Sequence, residues 1–579
     1  MKKIITMVVA FGLMGLSAGA QGPNWAWVKC STGNGGSDYS TGVTTDALGN
    51  AYVVGNFGSS NISFSTFNLN NNGTNNIFLV KYDVNGNVIW AKSAGGTGID
   101  VANSISIDSF NNIYIVGRYT SSAIAFGSHT LVNLNGWNNI FIAKYDSGGN
   151  AIWAKGIYGG LDPIAASSIT VDNSGNIYFT GYSQNTTTVF ETINLSIHNG
   201  YMFMAKYDSS GTVKWAKNAG MNLVDWLSGI TTDSKCNVYI TGGFLDDTLK
   251  LDSLSFINSN MDSTTFDIFL AKYDSSGNIL WARSDGGNKS SDANSVACDN
   301  SDNVYITGNY KGDTLLFGST ILVNTNNDSS SMFLAKYDSS GSVLWAKCAG
   351  GVNNNYGETI KTDINKNVIV GGVFSCPSIS FGSTILNNFY SSGNNDALFV
   401  VKYDSSGDVL WAKTAYGIGS VWSLTIDTIN DIYITGQFSS DTISFGAINL
   451  MNDSTSLSSS SMYLAKINAT TGINEIKNNT HSLSLYPNPT TSLLTLSLPN
   501  TNQKVSINLY DMMGQKQLTI DNGQLTSAMD NGQLTIDNNT TTMSIVNYQL
   551  SIEKLPQGIY FLEVLMDGEK QVRKVVKIN

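Results

Sequence analysis

A block of the form Ala-Lys-Tyr-Asp-Ser-Ser-Gly-Asn-Val-Leu-Trp-Ala-Lys recurs along this 579-residue chain, and that repetition constrains the fold more than any other feature. Its Lys-Tyr-Asp element begins at Lys81, Lys144, Lys206, Lys272, Lys336 and Lys402, with Lys466-Ile467-Asn468 as a worn seventh copy. Its Trp element falls at Trp27, Trp90, Trp153, Trp215, Trp281, Trp345 and Trp411, successive members lying 62 to 66 residues apart. A third marker, an Asp-x-x-x-Asn turn, starts at Asp46, Asp108, Asp172, Asp233, Asp299 and Asp363, and Asp427 begins a seventh copy that ends in Asp431. Each turn runs into an alternating strand that stops at Gly55, Gly117, Gly181, Gly242, Gly308, Gly371 or Gly436.

Every unit reads as strands with little helix. Segments such as Ser-Ile-Ser-Ile-Asp alternate with period two, and Gly, Asn and Asp punctuate their ends. Asp274-Ser275-Ser276-Gly277-Asn278 has hairpin chemistry, because Asp and Ser bond nearby backbone and Gly accepts positive φ. A further short pair around Ile379–Ile385 makes each unit longer than a minimal four-stranded blade. The ends of the series choose between a solenoid and a ring. The first Trp strand has no Lys-Tyr-Asp strand before it, and the last Lys-Tyr-Asp strand, 462–468, has no Trp strand after it. Two complementary half-hairpins suit a ring whose ends meet, whereas a solenoid requires polar caps. The expectation is an all-β, seven-bladed β-propeller over residues 21–470, closed by pairing of its N- and C-terminal strands.

Over residues 24–470 these repeats resemble the bacterial seven-bladed β-propeller repeat family, a likeness that speaks to fold and little to function. The tryptophans are also similar in setting to the blade motif of quinoprotein dehydrogenases, nearest in spelling at 465–472. There the Trp locks neighbouring blades, which implies a structural role for all seven here. The adjacent cysteine pair of those enzymes is absent, and sialidase Asp-box spacing does not fit.

Composition agrees with short strands and tight turns. Charged residues make up only 13% of the chain, against about 25% in an average globular protein. A net charge of −11 disfavours nucleic acid and anionic membranes as partners. Lys2-Lys3, the apolar run 4–16 and Ala18-Gly19-Ala20 form a signal peptide, residues 1–20, with cleavage expected near Ala20/Gln21. No later segment approaches transmembrane length. Cys30, Cys236, Cys298, Cys348 and Cys376 lack the spacing of a disulfide framework or zinc site, leaving one incidental disulfide or small buried thiols.

Beyond a linker at 471–481 the composition shifts: all eleven tryptophans precede residue 423, and four of seven prolines follow residue 486. Residues 482–579 read as a small β-sandwich. They carry Tyr486-Pro487-Asn488-Pro489, an Asp511-Met512-Met513-Gly514 turn, Gly558-Ile559-Tyr560 and a basic end with Lys577. In that order these motifs resemble the C-terminal sorting domain of type IX secretion in Bacteroidetes-like bacteria, with a duplicated insertion at 518–539 as the departure. The resemblance implies handling by the type IX machinery, and a secreted or outer-surface destination.

Catalytic chemistry is sparse in the sequence. His129, His198 and His481 occupy non-equivalent positions with no nucleophile or ligand nearby. Calcium loops gather several carboxylates within a dozen residues, whereas the repeated turns offer one each, so the aspartates read as turn residues and no cofactor is expected, with calcium as the lesser alternative. Seven Asp-Ser/Thr sites, among them Thr248, Ser253, Thr314, Thr428 and Thr442, resemble the O-glycosylation motif of the same phylum. The expected function is that of an exported, monomeric binding scaffold for a glycan or protein. Its ligand contacts would lie in loops at one end of the ring, and Trp137, Trp226 and Trp422, outside the repeated Trp position, are candidates. The alternative is an exported hydrolase or lyase in the central channel, which requires non-repeated acids or bases converging there.

Overall fold

The computed structural model describes residues 22–578 except 34, 135, 161–162, 197–201, 221–225, 246, 261–263, 325–328, 391–394, 453–458, 470–483, 487–489, 500–504, 512–514, 522–523, 526–544 and 567–568. The signal peptide, the linker, His198, His481, Pro487, Asn488, Pro489, Gly514 and most of the duplicated insertion fall outside the described residues. The chain divides into two compact units, 1–470 and 471–579.

In the first unit the repeats form seven separate antiparallel four-stranded sheets. The first blade runs outward through Asp38–Thr45, Ala51–Phe57, Asn76–Tyr82 and Val88–Ala94. Inner strands of the other six are Asp100–Ile107, Ile164–Val171, Trp226–Thr232, Ser291–Cys298, Asn355–Thr362 and Gly419–Ile426. The extra pair in each repeat is a small hairpin apart from the blade, such as Ser378–Phe381 with Thr384–Asn387, and in the first repeat Thr32–Gly33 adds a third strand to it.

Burial explains the sequence pattern. The two middle strands of a blade are apolar almost throughout, and every residue of Ala51–Phe57 and of Ala397–Tyr403 is buried. Strands read this way when both faces are covered, here by the neighbouring blades. Each hydrophobic cluster accordingly mixes two successive blades: Tyr52, Val54 and Leu79 pack with Ile113, Ile115 and Phe141. Burying each such side chain stabilises the fold by roughly 1.5–3 kcal/mol.

The last blade takes its outer strand from the other end of the repeat series. Trp25–Cys30 pairs antiparallel with Ser461–Ile467, Val28 lying opposite Ala465. The seventh blade packs on the first, with Tyr433, Met462 and Leu464 joining Val53, Phe57 and Phe78 in one cluster. Ser40 Oγ donates to the Gly436 carbonyl at 2.8 Å across the same junction.

The second unit is a two-layer β-sandwich. A three-stranded sheet (Ser484–Tyr486, Leu493–Pro499, Ile545–Ser551) faces a five-stranded one whose centre is Val505–Asp511 and Gly558–Met566. Leu494, Leu496, Ile507, Leu509, Leu562, Val564 and Val575 fill the space between them.

Candidate functional site

The repeated residues build a lock between blades. In the third blade Asp172 Oδ1 accepts the backbone N–H groups of Ser174 and Asn176, while Oδ2 accepts Asn176 Nδ2 and the Tyr178 hydroxyl at 3.0 Å. The lysine of the Lys-Tyr-Asp element lies over that tyrosine, as Lys206 Nζ does 5.0 Å from the Tyr178 ring centroid. Lys206 then donates to Ser275 O of the next blade at 2.8 Å, and Trp215 Nε1 donates to the same carbonyl at 3.3 Å. Trp27, Trp90, Trp153, Trp281 and Trp345 repeat this bond to Val84, Ser147, Ser209, Ser339 and Ser405. Trp411 packs against Gly22 instead. The turn aspartates thus spend their oxygens on turn N–H groups, on Tyr and on Lys: Lys402 Nζ sits 2.7 Å from Asp363 Oδ2. In the seventh repeat Lys466 pairs with Asp431 at 2.9 Å, in the place of the usual Asn.

The inner strands carry side chains that differ from blade to blade. Each carries a β-bulge at the same place, where the ladder skips Thr41, Asn103, Ser167, Ser228, Asn294, Glu358 or Trp422. A bulged residue leaves the ladder and re-aims its side chain. All seven line a single central channel with a cavity of about 280 Å³. Three of them bond to the next blade, one residue before its own bulge: Thr41 Oγ1 to Ala102 O at 2.8 Å, Asn103 Nδ2 to Ala166 O at 2.6 Å, and Asn294 Nδ2 to Gly357 O at 3.1 Å.

The ring is lopsided. On one side stand small polar groups (Thr41, Asn103, Ser167, Ser228), and on the other Glu358 and Trp422. Two residues before the bulge the same strands carry Tyr39 in the first blade, Asp292 in the fifth and Tyr356 in the sixth. Tyr39 meets Trp422 edge to face, with ring centroids 5.2 Å apart. Burial pushes the Glu358 carboxyl up to about 7, and the nearby charge of Asp396 pushes in the same direction. Burial likewise lifts Asp292 to about 6 against the pull of Lys311. Lys361 is exposed to the channel, yet burial by the enclosing walls lowers its pKa. Away from the channel lining, Phe389 and Tyr416, beside the small hairpins of the sixth and seventh repeats, stack at 4.6 Å and stay exposed.

Of the three candidate tryptophans, Trp422 joins the channel ring. Trp137 sits in an exposed turn next to a small hairpin of the second blade, where its carbonyl accepts Asn133 Nδ2 at 2.8 Å. Trp226 opens an inner strand, and its side chain lies outside the described residues. His129 begins a small hairpin strand. Cys376 is buried, Cys348 is exposed, the other three cysteines are partly buried, and no disulfide joins the five. Of the Asp-Ser/Thr sites, Ser253, Thr428 and Thr442 are exposed, and Thr248 and Thr314 partly so.

Sequence reasoning passed over Asp292, Tyr356, Glu358, Lys361 and Tyr39. The signal was present, since every bulged residue stands five positions before a turn aspartate, from Thr41 before Asp46 to Trp422 before Asp427. Once the repeats are superposed on the aspartate, that column alone reads Thr, Asn, Ser, Ser, Asn, Glu, Trp.

In the C-terminal unit the Tyr560 hydroxyl donates to Pro556 O at 2.7 Å. Buried Lys577 Nζ donates to Ile552 O at 2.7 Å and to the Glu553 and Leu555 carbonyls, fastening the last strand to a turn. Residues 484–579 match the family model described as a secretion system C-terminal sorting domain. An uncharacterized WD repeat-containing protein of Acanthamoeba polyphaga mimivirus is 27% identical over 450 residues, 65% of this chain and 32% of that protein. The regulatory protein FlaEY of Caulobacter vibrioides is 28% identical over 241 residues, 38% of this chain and 25% of that protein. The chain thus spans a third or less of the length of these relatives. A solved DUF4221 member from Bacteroides vulgatus, 12% identical, superposes with a TM-score of 0.29 over 60% of this chain and 93% of that one, too loosely to compare sites. The sorting domain indicates a secreted or outer-surface destination, and no described helix is long and apolar enough to cross a membrane. This chain is a β-propeller repeat protein that carries, at residues 484–579, a C-terminal sorting domain of type IX secretion.

Proposed function

We propose that the propeller is an extracellular binding module for a glycan or protein ligand, exported after signal-peptide cleavage near Ala20/Gln21, with the channel ring as its ligand site. One observation carries this reading: seven bulges repeat in backbone, while the side chains they present vary through five residue types, with Glu358 and Trp422 each occurring once. A rigid frame with one ring of individual side chains is the arrangement that holds a site still. The channel belongs to a single chain, so a monomer suffices, and no cofactor is needed for binding.

Glu358 favours a second reading, an exported hydrolase or lyase, because an acid titrating near 7 suits proton transfer. Against it, Glu358 makes no hydrogen bond to a second acid, base or nucleophile among the described residues, and catalytic groups act as bonded sets.

Glycan-array and pull-down screens with the exported chain and Trp422→Ala test the first reading. Wild type is expected to capture a ligand that W422A loses, and equal capture by both overturns the channel as the site. Turnover of a captured glycan, abolished by Glu358→Gln, transfers the assignment to the second reading. For delivery, a chain ending before residue 484 is expected to stay within the cell envelope; finding it on the surface refutes the sorting route.

A further inference from the structure

We infer that the rim between the fourth and fifth blades carries a second ligand site, for a neutral sugar ring presenting adjacent hydroxyls; it is separate from the channel and does not depend on the channel binding anything. The site is a cavity of about 490 Å³, within the range of small-ligand sites. Its walls come from the fourth blade's outer strand Ile279–Asp285, from the turn between the fifth repeat's hairpin strands Thr314–Phe317 and Thr320–Val323, and from the fifth blade's turn at Gly341 and Ser342. Two of its residues break the repeat. Four positions after the Trp, the other six copies carry Ser31, Ala94, Ile157, Ala219, Ala349 and Ala415 where this one has Asp285. Two positions after the Trp the other copies carry lysine, where this one has Arg283. The frame does not require the acid. Tyr337 donates to Asp285 Oδ2 at 2.7 Å, yet the equivalent Tyr82 and Tyr207 hydroxyls are buried without a hydrogen bond. The corresponding cavity between the first and second blades holds about 250 Å³, and its lining has Lys92 and Ala151 but no acid among the described residues. Between the second and third blades a carboxylate does appear, but there Glu191 of the hairpin turn is paired with Lys155 at 2.7 Å.

The chemistry of the two residues narrows the occupant. Arg283 and Asp285 stand two positions apart on one strand, so they share a face, and both line the cavity. Burial pushes the Asp285 carboxyl up to about 6. At neutral pH it is therefore ionised but short of water, and a hydroxyl donor from a ligand restores what it has lost. Arg283 is fixed at the edge: Nε donates to Gly341 O at 2.9 Å, Nη1 to Ala282 O at 2.9 Å and Nη2 to Ser340 O at 3.3 Å, with the guanidinium 5.6 Å from the Trp281 ring centroid. These bonds leave an N–H on each Nη for a ligand oxygen. Acid and base oppose each other in charge, so an ion of either sign gains one partner and meets one like charge. A neutral ring uses both, because a hydroxyl donates to the carboxylate and accepts from the guanidinium. Leu316, 44% exposed, offers an apolar wall to the C–H face of the ring, and Ser319 and Ser342 add hydroxyls.

Calorimetric titration of the purified full chain with the methyl glycosides of galactose, glucose, mannose and fucose tests this, with choline and acetate as charged controls. At least one glycoside is expected to bind with a roughly millimolar Kd or tighter, and about tenfold or more tighter than choline or acetate. Asp285→Ala and Arg283→Lys each install a residue that other repeats carry at the same position, so the blade keeps its frame, and melting temperatures check that it does. Each is expected to weaken the glycoside about tenfold or more. Lys92→Ala, in the corresponding cavity of the first two blades, is expected to leave its affinity unchanged. If no glycoside binds, or D285A binds it as well as wild type, the rim site is refuted. If W422A loses the glycoside and D285A keeps it, the sugar belongs to the channel. If only choline or acetate binds and D285A loses it, the neutral ligand is refuted.

Discussion

Five residues before each turn aspartate, one side chain per blade leaves the strand ladder for the channel, and Glu358 is the costliest of the seven to place there. An unfolded glutamate titrates near 4.3, whereas burial holds Glu358 near 7 in the fold. Between those values the native state binds the proton more tightly than the unfolded chain does, so stability falls as pH rises through the window. The penalty is absent below about pH 4 and complete above about pH 8. Glu358→Gln removes the ionisation and is expected to stabilise the chain by roughly 1–3 kcal/mol at pH 8 and by little at pH 4. Melting temperatures across that range check it; equal melting of the two proteins at pH 8 refutes the buried charge.

At the scale of elements, the turn after each Lys-Tyr-Asp strand sets the spacing between blades. Gly149 has φ +79°, and a Cβ there would lie 3.1 Å from the Trp90 ring of the preceding blade. Its glycine is required twice, once for backbone conformation and once for contact. Gly35 shares the conformation, at φ +84°, with nothing within 4 Å. Gly149→Ala is therefore expected to cost about 2 kcal/mol or more and Gly35→Ala nearer 1 kcal/mol, as read by denaturant unfolding. Equal costs would show that the Trp–Gly contact adds nothing. These turns were legible in the sequence because Asp, Ser and Gly act within a few residues of themselves. The Trp–carbonyl bonds were not, because they join groups more than fifty residues apart, such as Trp90 and Ser147.

At the scale of the molecule, ten residues near the N-terminus complete the last blade. Trp25 meets Phe445 edge to face at 4.9 Å, and Val28 is buried in the seventh blade's core. Deleting residues 22–31 leaves Ser461–Ile467 as an open edge and is expected to lower the melting temperature by roughly 10 °C or more. A synthetic 22–31 peptide added in trans should restore part of the loss by adding the strand back. An unchanged melt would mean that this pairing contributes no stability.

The sequence by itself determined the all-β repeat, the turns, the hairpin in every unit, the offset between first and last strands, and the sorting domain. All of these are local or periodic, and periodicity survives without coordinates. Only the tertiary structure decided which residues share a site. Thr41 and Trp422 are 381 positions apart in the chain and line one cavity, because each inner strand bulges at the same register and seven bulges point at one axis. A β-bulge leaves no period in the sequence, and burial, not residue type, makes Glu358 unlike the other glutamates.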